Sequence, residues 1–415
     1  MSTLYLHGGT IVLPDRLVTD GAVACVDGLI TGIYSHDEFN TNSPARTNLY
    51  DSPVANSAQV TIDLTDRYLC PGFVDLHVHG GAGADFMDGT VDATRIACAA
   101  HASHGTTTLY PTTSTGSPAQ IHRMLASCKS VMSETEPPGH AKIGGVHLYG
   151  PYFAKEKSGC HLQSECRDPH NSEYESYFET DIIRIATCAA ELEGAANFYQ
   201  CANQRGCLIT CGHSNASWTE MQAAFDLGMR HVDHFWCAMS NVSSVRKQHG
   251  FPMQGSMLEF VLGQPEMSTE VIADGQHLSP ELLRFAWQIK SSQRLCLVTD
   301  CNRALDMPPG RYRFGAIEDG AWFESNGEVG LASPDALASS IRGMDFMVQT
   351  MLTQTDIPLV DVIRMASLTP AQRVKADDQI GSIEIGKLAD FVILNQKFQI
   401  EKVFISGQEL TIPLP

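Results

Sequence analysis

Two histidines separated by a single residue, His77 and His79, end the apolar segment PGFVDLHVHG at residues 71–80. The Pro-Gly turn followed by apolar residues predicts a β-strand, on which side chains at positions i and i+2 point to the same face. Two imidazoles on one face, about 7 Å apart along the strand by its rise per residue, can bind a single metal ion. A His-x-His pair alone does not establish a metal site, because histidines are also common in cores and on surfaces.

Further polar side chains stand where later strands are expected to end. His147 and Tyr149 lie at the third apolar run, His213 after the fifth, His234 at the sixth and Asp300 after the eighth. Imidazole and carboxylate groups are the ligands of hydrolytic metal centres. Each group alone is also compatible with an ordinary structural role, such as a loop histidine or an aspartate that caps a helix. Their joint position favours a metal-dependent hydrolase, because the loops of a (β/α)8 barrel converge on one site.

The elements that would position these residues alternate, from residue 70 onward, between strands and helical patterns, which indicates βα units and a parallel sheet. Strands are predicted at residues 73–79, 107–111, 143–149, 182–187, 207–212, 231–236, 269–273 and 295–299. Helices are predicted at residues 91–103, 117–132, 217–227, 279–290, 335–353 and 358–374, with a Gly-rich, hairpin-like insertion at 311–330. Eight strands within roughly 230 residues predict an α/β fold of the TIM (β/α)8 barrel type, whose active site lies at the carboxyl ends of the strands.

Both ends of the chain carry short β-like runs, and residues 36–58 have the polar composition of a loop. We therefore predict that residues 1–66 and 377–415 together form a small β-sandwich module. The metal-dependent barrel would then occupy residues 67–376.

The composition argues against nucleic acids and membranes as partners. The formal net charge is −19, from 28 basic and 47 acidic residues, which argues against binding to nucleic acid or to an anionic membrane surface. No stretch approaches the roughly 18 consecutive apolar residues of a membrane span, and the N-terminus lacks the pattern of a signal peptide. We therefore expect a cytoplasmic protein, in which the 13 cysteines are reduced and mostly buried.

Several motifs occur in order over nearly the whole chain. They are PGFVDLHVHG at 71–80, GPYFAKEKSGCH at 150–161, GHSNAS at 212–217, DHFWCAM at 233–239, VIADGQHLSPELL at 271–283, LCLVTD at 295–300, MASLTPAQ at 365–372 and GSIEIGKLADFVIL at 381–394. With these motifs the chain resembles the amidohydrolase superfamily and, within it, the N-acetylglucosamine-6-phosphate deacetylases. The GKLAD motif at 386–390 is shared by many amidohydrolases, whereas GHSNA together with VIADGQH points to the deacetylases.

The resemblance implies catalytic and metal-binding roles for individual residues. His213 and His234 match two metal ligands of the family, and Asp300 matches the general acid/base that moves a proton from water to the leaving amine. His161 matches the residue that polarises the amide carbonyl.

The resemblance also implies an amino-sugar phosphate as the small-molecule substrate. His277 and Arg246 lie near the positions that hold the phosphate in the family. In the family that arginine comes from the partner subunit, so we expect a homodimer. A planar guanidinium suits a phosphate well.

Three departures from the family pattern cluster in the site. Tyr149 stands where the family has a glutamate that binds metal, and Cys237-Ala238 stands where the family has Asn-Ala. Those Cys237 and Ala238 positions help to bind the phosphate in the family. The loop at 301–306 is also changed, and its Arg303 is a candidate for a new anion contact.

The loss of the glutamate favours a rearranged metal site. We expect one ion per chain, bound by His77, His79 and His213 with Asp300 as a fourth ligand or close neighbour. His234 would then be free to orient water or to polarise the substrate, and the Tyr149 phenol would hydrogen-bond the oxyanion. In the competing arrangement His213 and His234 remain ligands and water fills the missing place. Zinc suits such imidazole-rich ligation, with iron or nickel as alternatives.

Three functions are compatible with these residues. The leading hypothesis is hydrolysis of the acetamide of an N-acetylated amino-sugar phosphate. The second is an amidohydrolase that acts on another N-acyl or cyclic amide substrate. The third is a non-catalytic relative, which the missing glutamate favours but the five convergent polar groups oppose.

Overall fold

The computed structural model describes residues 2–35, 59–134 and 139–411, which form a mixed α/β fold. Its strands are β1 (Thr3–Val12), β2 (Leu17–Val26), β3 (Leu29–Tyr34), β4 (Gln59–Asp63), β5 (Tyr68–Pro71), β6 (Phe73–Val78), β7 (Gly80–Gly81), β8 (Ala84–Asp85), β9 (Thr106–Pro111), β10 (Lys142–Ile143), β11 (Val146–Leu148), β12 (Ile183–Thr187), β13 (Leu208–Cys211), β14 (His231–Val232), β15 (Ser268–Val271), β16 (Leu295–Leu297), β17 (Gly310–Phe314), β18 (Ala321–Ser325), β19 (Gly330–Ser333), β20 (Ala336–Leu337), β21 (Phe391–Leu394), β22 (Ile400–Ile405) and β23 (Gln408–Glu409).

The α-helices follow the strands as the alternating pattern predicted. They are α1 (Val91–Ser103), α2 (Pro118–Met132), α3 (Asn171–Phe178), α4 (Ala195–Gln204), α5 (Trp218–Asp226), α6 (Val242–His249), α7 (Met257–Gly263), α8 (Pro280–Lys290), α9 (Met344–Gln354), α10 (Leu359–Ala366) and α11 (Leu368–Arg373). Local capping explains several starts: Ser117 and Ser217 each form a capping box with the side chain three residues later. Within the described part of the chain, no helix has the length and apolar character needed to cross a membrane.

Strands from both ends of the chain share one eight-stranded sheet, in the order β23-β22-β21-β5-β1-β2-β3 with β4 paired to β1. Leu6 of β1 packs in a core with Phe391 and Phe404 from the C-terminal strands, whereas the next side chain back, Tyr5, packs on the opposite face. This alternation is the two-residue period of a strand that is covered on both faces. The boundary expected at residue 67 falls just before β5, which pairs with β1 and β21 in this sheet.

The strands predicted for the middle of the chain form two parallel sheets. β6, β9 and β10 make a three-stranded sheet, and β11 to β16 make a six-stranded one. Two isolated parallel bridges join the sheets, Thr112 with His147 and Val78 with Cys301. Each of the eight predicted strands overlaps one of these strands. Because neighbouring strands run parallel, their carboxyl ends lie on the same side, where the polar residues follow.

Two predicted helices differ from the structure. The pattern at 335–353 is helical only from Met344 onward, because β20 pairs with β19 instead. The pattern at 358–374 divides at Ser367, whose φ of −141° is not helical. Pro370 also lacks the N–H that a continuous helix would need.

Two further expectations concern loops. The insertion expected at 311–330 is a four-stranded antiparallel sheet, β17 to β20, which we call the insertion sheet. The loop expected at 36–58 lies outside the described residues.

One partly buried ion pair joins the chain-end sheet to the parallel strands. Lys142 Nζ at the start of β10 lies 3.2 Å from Asp390 Oδ1 and donates to Ser406 Oγ at 2.7 Å. Asp390 is buried and also accepts the backbone N–H of Ser406. Because its charge has no access to bulk water, this carboxylate depends on these partners.

We therefore expect Asp390→Ala to lower the free energy of unfolding by about 1–3 kcal/mol, because it leaves Lys142 without its carboxylate. Urea unfolding followed by circular dichroism measures the loss. The control is Asp92→Ala, whose pairing with Arg95 is exposed and which should change stability by less than about 0.5 kcal/mol. Equal stabilities of the two variants would contradict the expected role of Asp390.

Candidate active site and metal centre

A cavity of about 250 Å³ lies at the carboxyl ends of the parallel strands. Its wall is formed by Tyr149, Gly159, Cys160, His161, His213, His234, Cys237, Ala238, His277, Asp300, Leu337 and Ser339. Most of the predicted site residues are in this wall. His77 and His79 are fully buried next to it, and Arg246 and Arg303 lie elsewhere.

The His-x-His pair and the aspartate after β16 meet at one point. Nε2 of His77 and Nε2 of His79 lie 3.5 Å and 3.2 Å from the same atom, Oδ1 of Asp300. Burial would raise the pKa of Asp300, but the charges of His77 and His79 hold it well below its usual range. The carboxylate is therefore ionised although it is almost completely shielded from bulk water.

The atoms of this cluster fit a divalent cation. Neither Nε2 atom has a hydrogen-bond partner among the described residues, although both are buried, and such orphaned polar atoms are costly unless a ligand satisfies them. The ligand atoms of His77, His79 and Asp300 all lie within 4.8 Å of one another. Two imidazole nitrogens and a carboxylate oxygen form a donor set that suits zinc and similar ions.

A second carboxylate contacts His77 at its other ring nitrogen. Nδ1 of His77 lies 2.9 Å from Oε2 of Glu270, which is fully buried in β15. Burial alone would lower the pKa of His77, but the carboxylates of Asp300 and Glu270 outweigh this effect and raise the pKa to about 9. The environment thus favours positive charge between the two carboxylates, which a proton or a metal ion can supply.

Sequence reasoning missed the acidic layer beneath the site. Glu270 accepts from His77, Asp233 accepts from Thr210 and Thr187, and Asp75 accepts from Thr299. The available signal was one acidic residue within each of the predicted strands at 73–79, 231–236 and 269–273. Sequence reasoning also missed Ser339, which donates to Asp300 at 3.3 Å from the insertion sheet's end and has no comparable signal.

Tyr149 and His234 form a hydrogen-bonded pair beside the His77 ring, and the centres of their rings lie 4.3 Å and 5.4 Å from its centre. The phenol oxygen lies 2.5 Å from Nε2 of His234. Burial lowers the pKa of His234 to about 4, and burial raises the pKa of Tyr149 well above its usual value. Both groups are therefore neutral near pH 7. The phenol thus occupies Nε2 of His234, whereas the buried Nδ1 of His234 has no hydrogen-bond partner among the described residues.

His161 is held as a neutral hydrogen-bond donor. Its Nδ1 accepts the backbone N–H of Thr115 at 3.3 Å, and burial, followed by the charge of His213, lowers its pKa well below the usual value. Its proton therefore lies on Nε2, as a role in polarising a carbonyl requires.

His213 packs beside His161 but is separate from the first cluster. Its Nδ1 donates to the carbonyl of Lys157, and its ring stacks on Phe153 with centroids 4.3 Å apart. Within the described residues, the cluster of mutually close ligand atoms contains His77, His79 and Asp300 but not His213. The predicted ligand set is thus brought together only in part.

The predicted phosphate contacts divide into two groups. His277 lies in the cavity wall with Cys237 and Ala238, and its Nδ1 lies 2.8 Å from Oδ2 of Asp274. Burial would lower the pKa of His277, but the hydrogen bond and charge of Asp274 raise it, which favours a cationic donor. Arg246, in contrast, is exposed on α6, with its guanidinium carbon 4.6 Å from the centre of the Phe251 ring.

Arg303 corrects an expectation. Its side chain is only 2% exposed and is not in the cavity wall. Its guanidinium donates to Asp88 at 2.9 Å and to the backbone carbonyls of Gly83, Arg313 and Gly315. Because its N–H groups are all engaged in this way, Arg303 anchors the insertion sheet and has no donor left for a substrate anion.

Comparison with known proteins places these features in context. Residues 68–410 match the profile of the amidohydrolase family. The N-acetylgalactosamine-6-phosphate deacetylase of Escherichia coli O157:H7 is 30% identical over 364 residues, covering 86% of this chain and 92% of the relative. The N-acetylglucosamine-6-phosphate deacetylase of Homo sapiens is 31% identical over 356 residues, covering 83% and 84%. These matches confirm the resemblance seen in the motifs.

Solved structures match over nearly the whole chain. The N-acetyl-D-glucosamine-6-phosphate deacetylase from Mycobacterium smegmatis has a TM-score of 0.83 at 24% identity, covering 99% of this chain and 100% of that chain. The N-acetylglucosamine-6-phosphate deacetylase from Pasteurella multocida has a TM-score of 0.85 at 23% identity, covering 98% and 99%. At these identities the likeness shows a shared fold.

The cluster geometry predicts different metal contents for two histidine variants. His77→Ala should lose bound metal because it removes a ligand from the close cluster. His234→Ala should retain most of it because the Nε2 of His234 is already paired with Tyr149. Elemental analysis after dialysis against buffered metal measures both, with His122→Ala, which removes a ring bonded only to Ser176, as the control. Metal retention in His77→Ala would overturn the assignment.

Proposed function

Because the chain belongs to the amidohydrolase family, we propose that it hydrolyses the acetamide of an N-acetylated amino-sugar phosphate and releases acetate and the amino-sugar phosphate. The observation that carries the proposal is the cavity, whose wall contains both the ionised Asp300 and the cation-favouring His277. The Asp300 carboxylate can then serve amide hydrolysis, and the His277 imidazole can bind an anionic group. The two curated relatives described above are named as deacetylases of such substrates.

We further propose that the parallel strands close into a TIM (β/α)8 barrel over residues 67–376. The two bridges that join the parallel sheets support closure. Residues 1–66 and 377–415 would form the β-sandwich module, which the shared eight-stranded sheet and its core support.

The proposed cofactor is zinc, one ion per chain, with His77, His79 and Asp300 as ligands and His213 as a further candidate ligand. A bound divalent ion lowers the pKa of water and so supplies hydroxide near neutral pH. The chain's residues would position and protonate the substrate around this nucleophile. Asp300 is placed to accept the proton of the attacking water and to pass it to the leaving amine.

The remaining wall residues would act on the amide. His161 can donate its Nε2 proton to the carbonyl oxygen, which polarises the bond. The Tyr149 phenol is a neutral donor for the oxyanion once the His234 Nε2 proton points to the phenol oxygen. His234 would thereby orient Tyr149, which is how this chain would compensate for the absent glutamate.

His277 is the proposed phosphate contact within one chain. No lysine or arginine is among the wall residues that the structure describes. A homodimer would add Arg246 of the partner subunit, as in the family. The exposure of Phe251 and Met253 beside Arg246, 83% and 58%, supports a protein contact at this surface. The free thiols of all thirteen cysteines support the proposed cytoplasmic location.

A second candidate function follows from the same wall. Because the described wall holds only one cation-favouring side chain, an amidohydrolase for an uncharged N-acyl substrate is also consistent with the cavity. Substrate charge separates the two candidates.

Acetate release tests the proposal directly. We expect turnover of N-acetylglucosamine-6-phosphate or N-acetylgalactosamine-6-phosphate, with a much lower kcat/KM for the unphosphorylated sugars. Each charge-assisted hydrogen bond to the phosphate is worth about 1.5–3 kcal/mol. Equal turnover of phosphorylated and free sugars would favour the second candidate.

Asp300→Asn should lower kcat by roughly 10²- to 10⁴-fold, because the amide cannot accept and return a proton. The amide oxygen remains at the ligand position, so folding should be nearly unchanged, and kcat is measured at saturating Zn²⁺ because the lost charge weakens metal binding. The matched control is Asp306→Asn, which removes a partner of His104 outside the cavity and should leave kcat near the wild-type value. Turnover near wild type in Asp300→Asn would refute the assigned role.

A further inference from the structure

Glu270 is the buried acidic residue whose contacts are directed at a proposed metal ligand. It lies in β15, is 0% exposed and is not part of the cavity wall. Its Oε2 accepts from Nδ1 of His77 at 2.9 Å, and its Oε1 lies 3.3 Å from Nε2 of His231. Its Oε2 also accepts the backbone N–H of His234 at 3.3 Å, so Glu270 contacts the site through the His77 ring and the His234 backbone.

We propose that Glu270 is the positioning residue of the metal centre. This proposal rests on the proposed function only in requiring a divalent ion at His77. By accepting the Nδ1 proton, the Glu270 carboxylate places the lone pair of His77 on Nε2, which lies beside His79 and Asp300. The negative charge also makes His77 a more basic ligand, as carboxylates behind metal-bound histidines do.

The negative charge of Glu270 also compensates for the absence of a carboxylate at position 149. The resemblance places a metal-binding glutamate at that position, and this chain has the neutral Tyr149. With Asp300 alone, a divalent ion would have a single carboxylate in contact. Glu270 adds a second negative charge on the far side of His77, where burial leaves it poorly screened.

Two alternative roles for Glu270 would give different results on mutation. A purely structural carboxylate would lower stability when removed, without changing the metal affinity. A separate cation among His77, Asp233 and Glu270 is not favoured, although their ligand atoms lie within 4.8 Å of one another. Their atoms are already hydrogen-bonded to one another or to Thr187, Thr210 and His231.

The test is the Zn²⁺ affinity of the metal-free full chain, measured by competition with a chromophoric chelator. Glu270→Gln keeps the size of the side chain and removes its charge, and Glu270→Ala removes the acceptor as well. We expect both variants to bind Zn²⁺ roughly 10- to 100-fold more weakly than wild type. The Co²⁺-loaded variants should also have altered visible spectra, because the His77 ligand is changed.

The matched control is Asp390→Asn, which removes a buried carboxylate from the chain-end sheet and should leave the Zn²⁺ affinity unchanged. If Glu270→Ala does not fold, the isosteric Glu270→Gln decides the question. Wild-type Zn²⁺ affinity and Co²⁺ spectrum in folded Glu270→Gln would overturn the proposal. If wild type released no acetate from any sugar phosphate but Glu270→Gln still weakened Zn²⁺ binding, the proposed substrate would fail and the role of Glu270 would stand.

Discussion

Two carboxylates buried on opposite sides of one imidazole are the constraint on which the site depends. Asp300 and Glu270 both face His77, and both are shielded from bulk water. Ionised carboxylates in such a place need a compensating positive charge, since desolvation is costly. A proton on His77 or the proposed metal ion at the strand ends would supply this charge, and the remaining wall residues lie around that point.

The scaffold brings these groups together from distant parts of the chain. His77 lies in β6, Glu270 lies in β15 and Asp300 follows β16. Parallel pairing of these strands brings the three groups together. Leu337 of the insertion sheet and Ser339 just after it line the cavity, and Ser339 donates to Asp300. Arg303 anchors that sheet to Asp88. Ser339 and Arg303 thus hold loops around the cavity in place.

The other wall residues differ in charge from the proposed metal cluster. Tyr149 and His234 are neutral and bonded to each other, and His161 presents a proton. Neutral donors beside the cluster of His77, His79 and Asp300 suit a reaction in which negative charge develops on a carbonyl oxygen. The same division explains how a site without the family glutamate can retain hydrolytic chemistry.

The sequence by itself determined the strand periodicity, most helix starts, the histidines and aspartate at strand ends, and the family, because burial alternation, caps and motifs are encoded in neighbouring residues. Only the tertiary structure decided which of those groups meet. His77 and Glu270 are 193 residues apart, and Tyr149 and His234 are 85 apart. Arg303 looked like a free cation until the structure placed it against Asp88 and three carbonyls. Local patterns carry no information about such contacts, since they depend on how whole strands pair and on which way each side chain points.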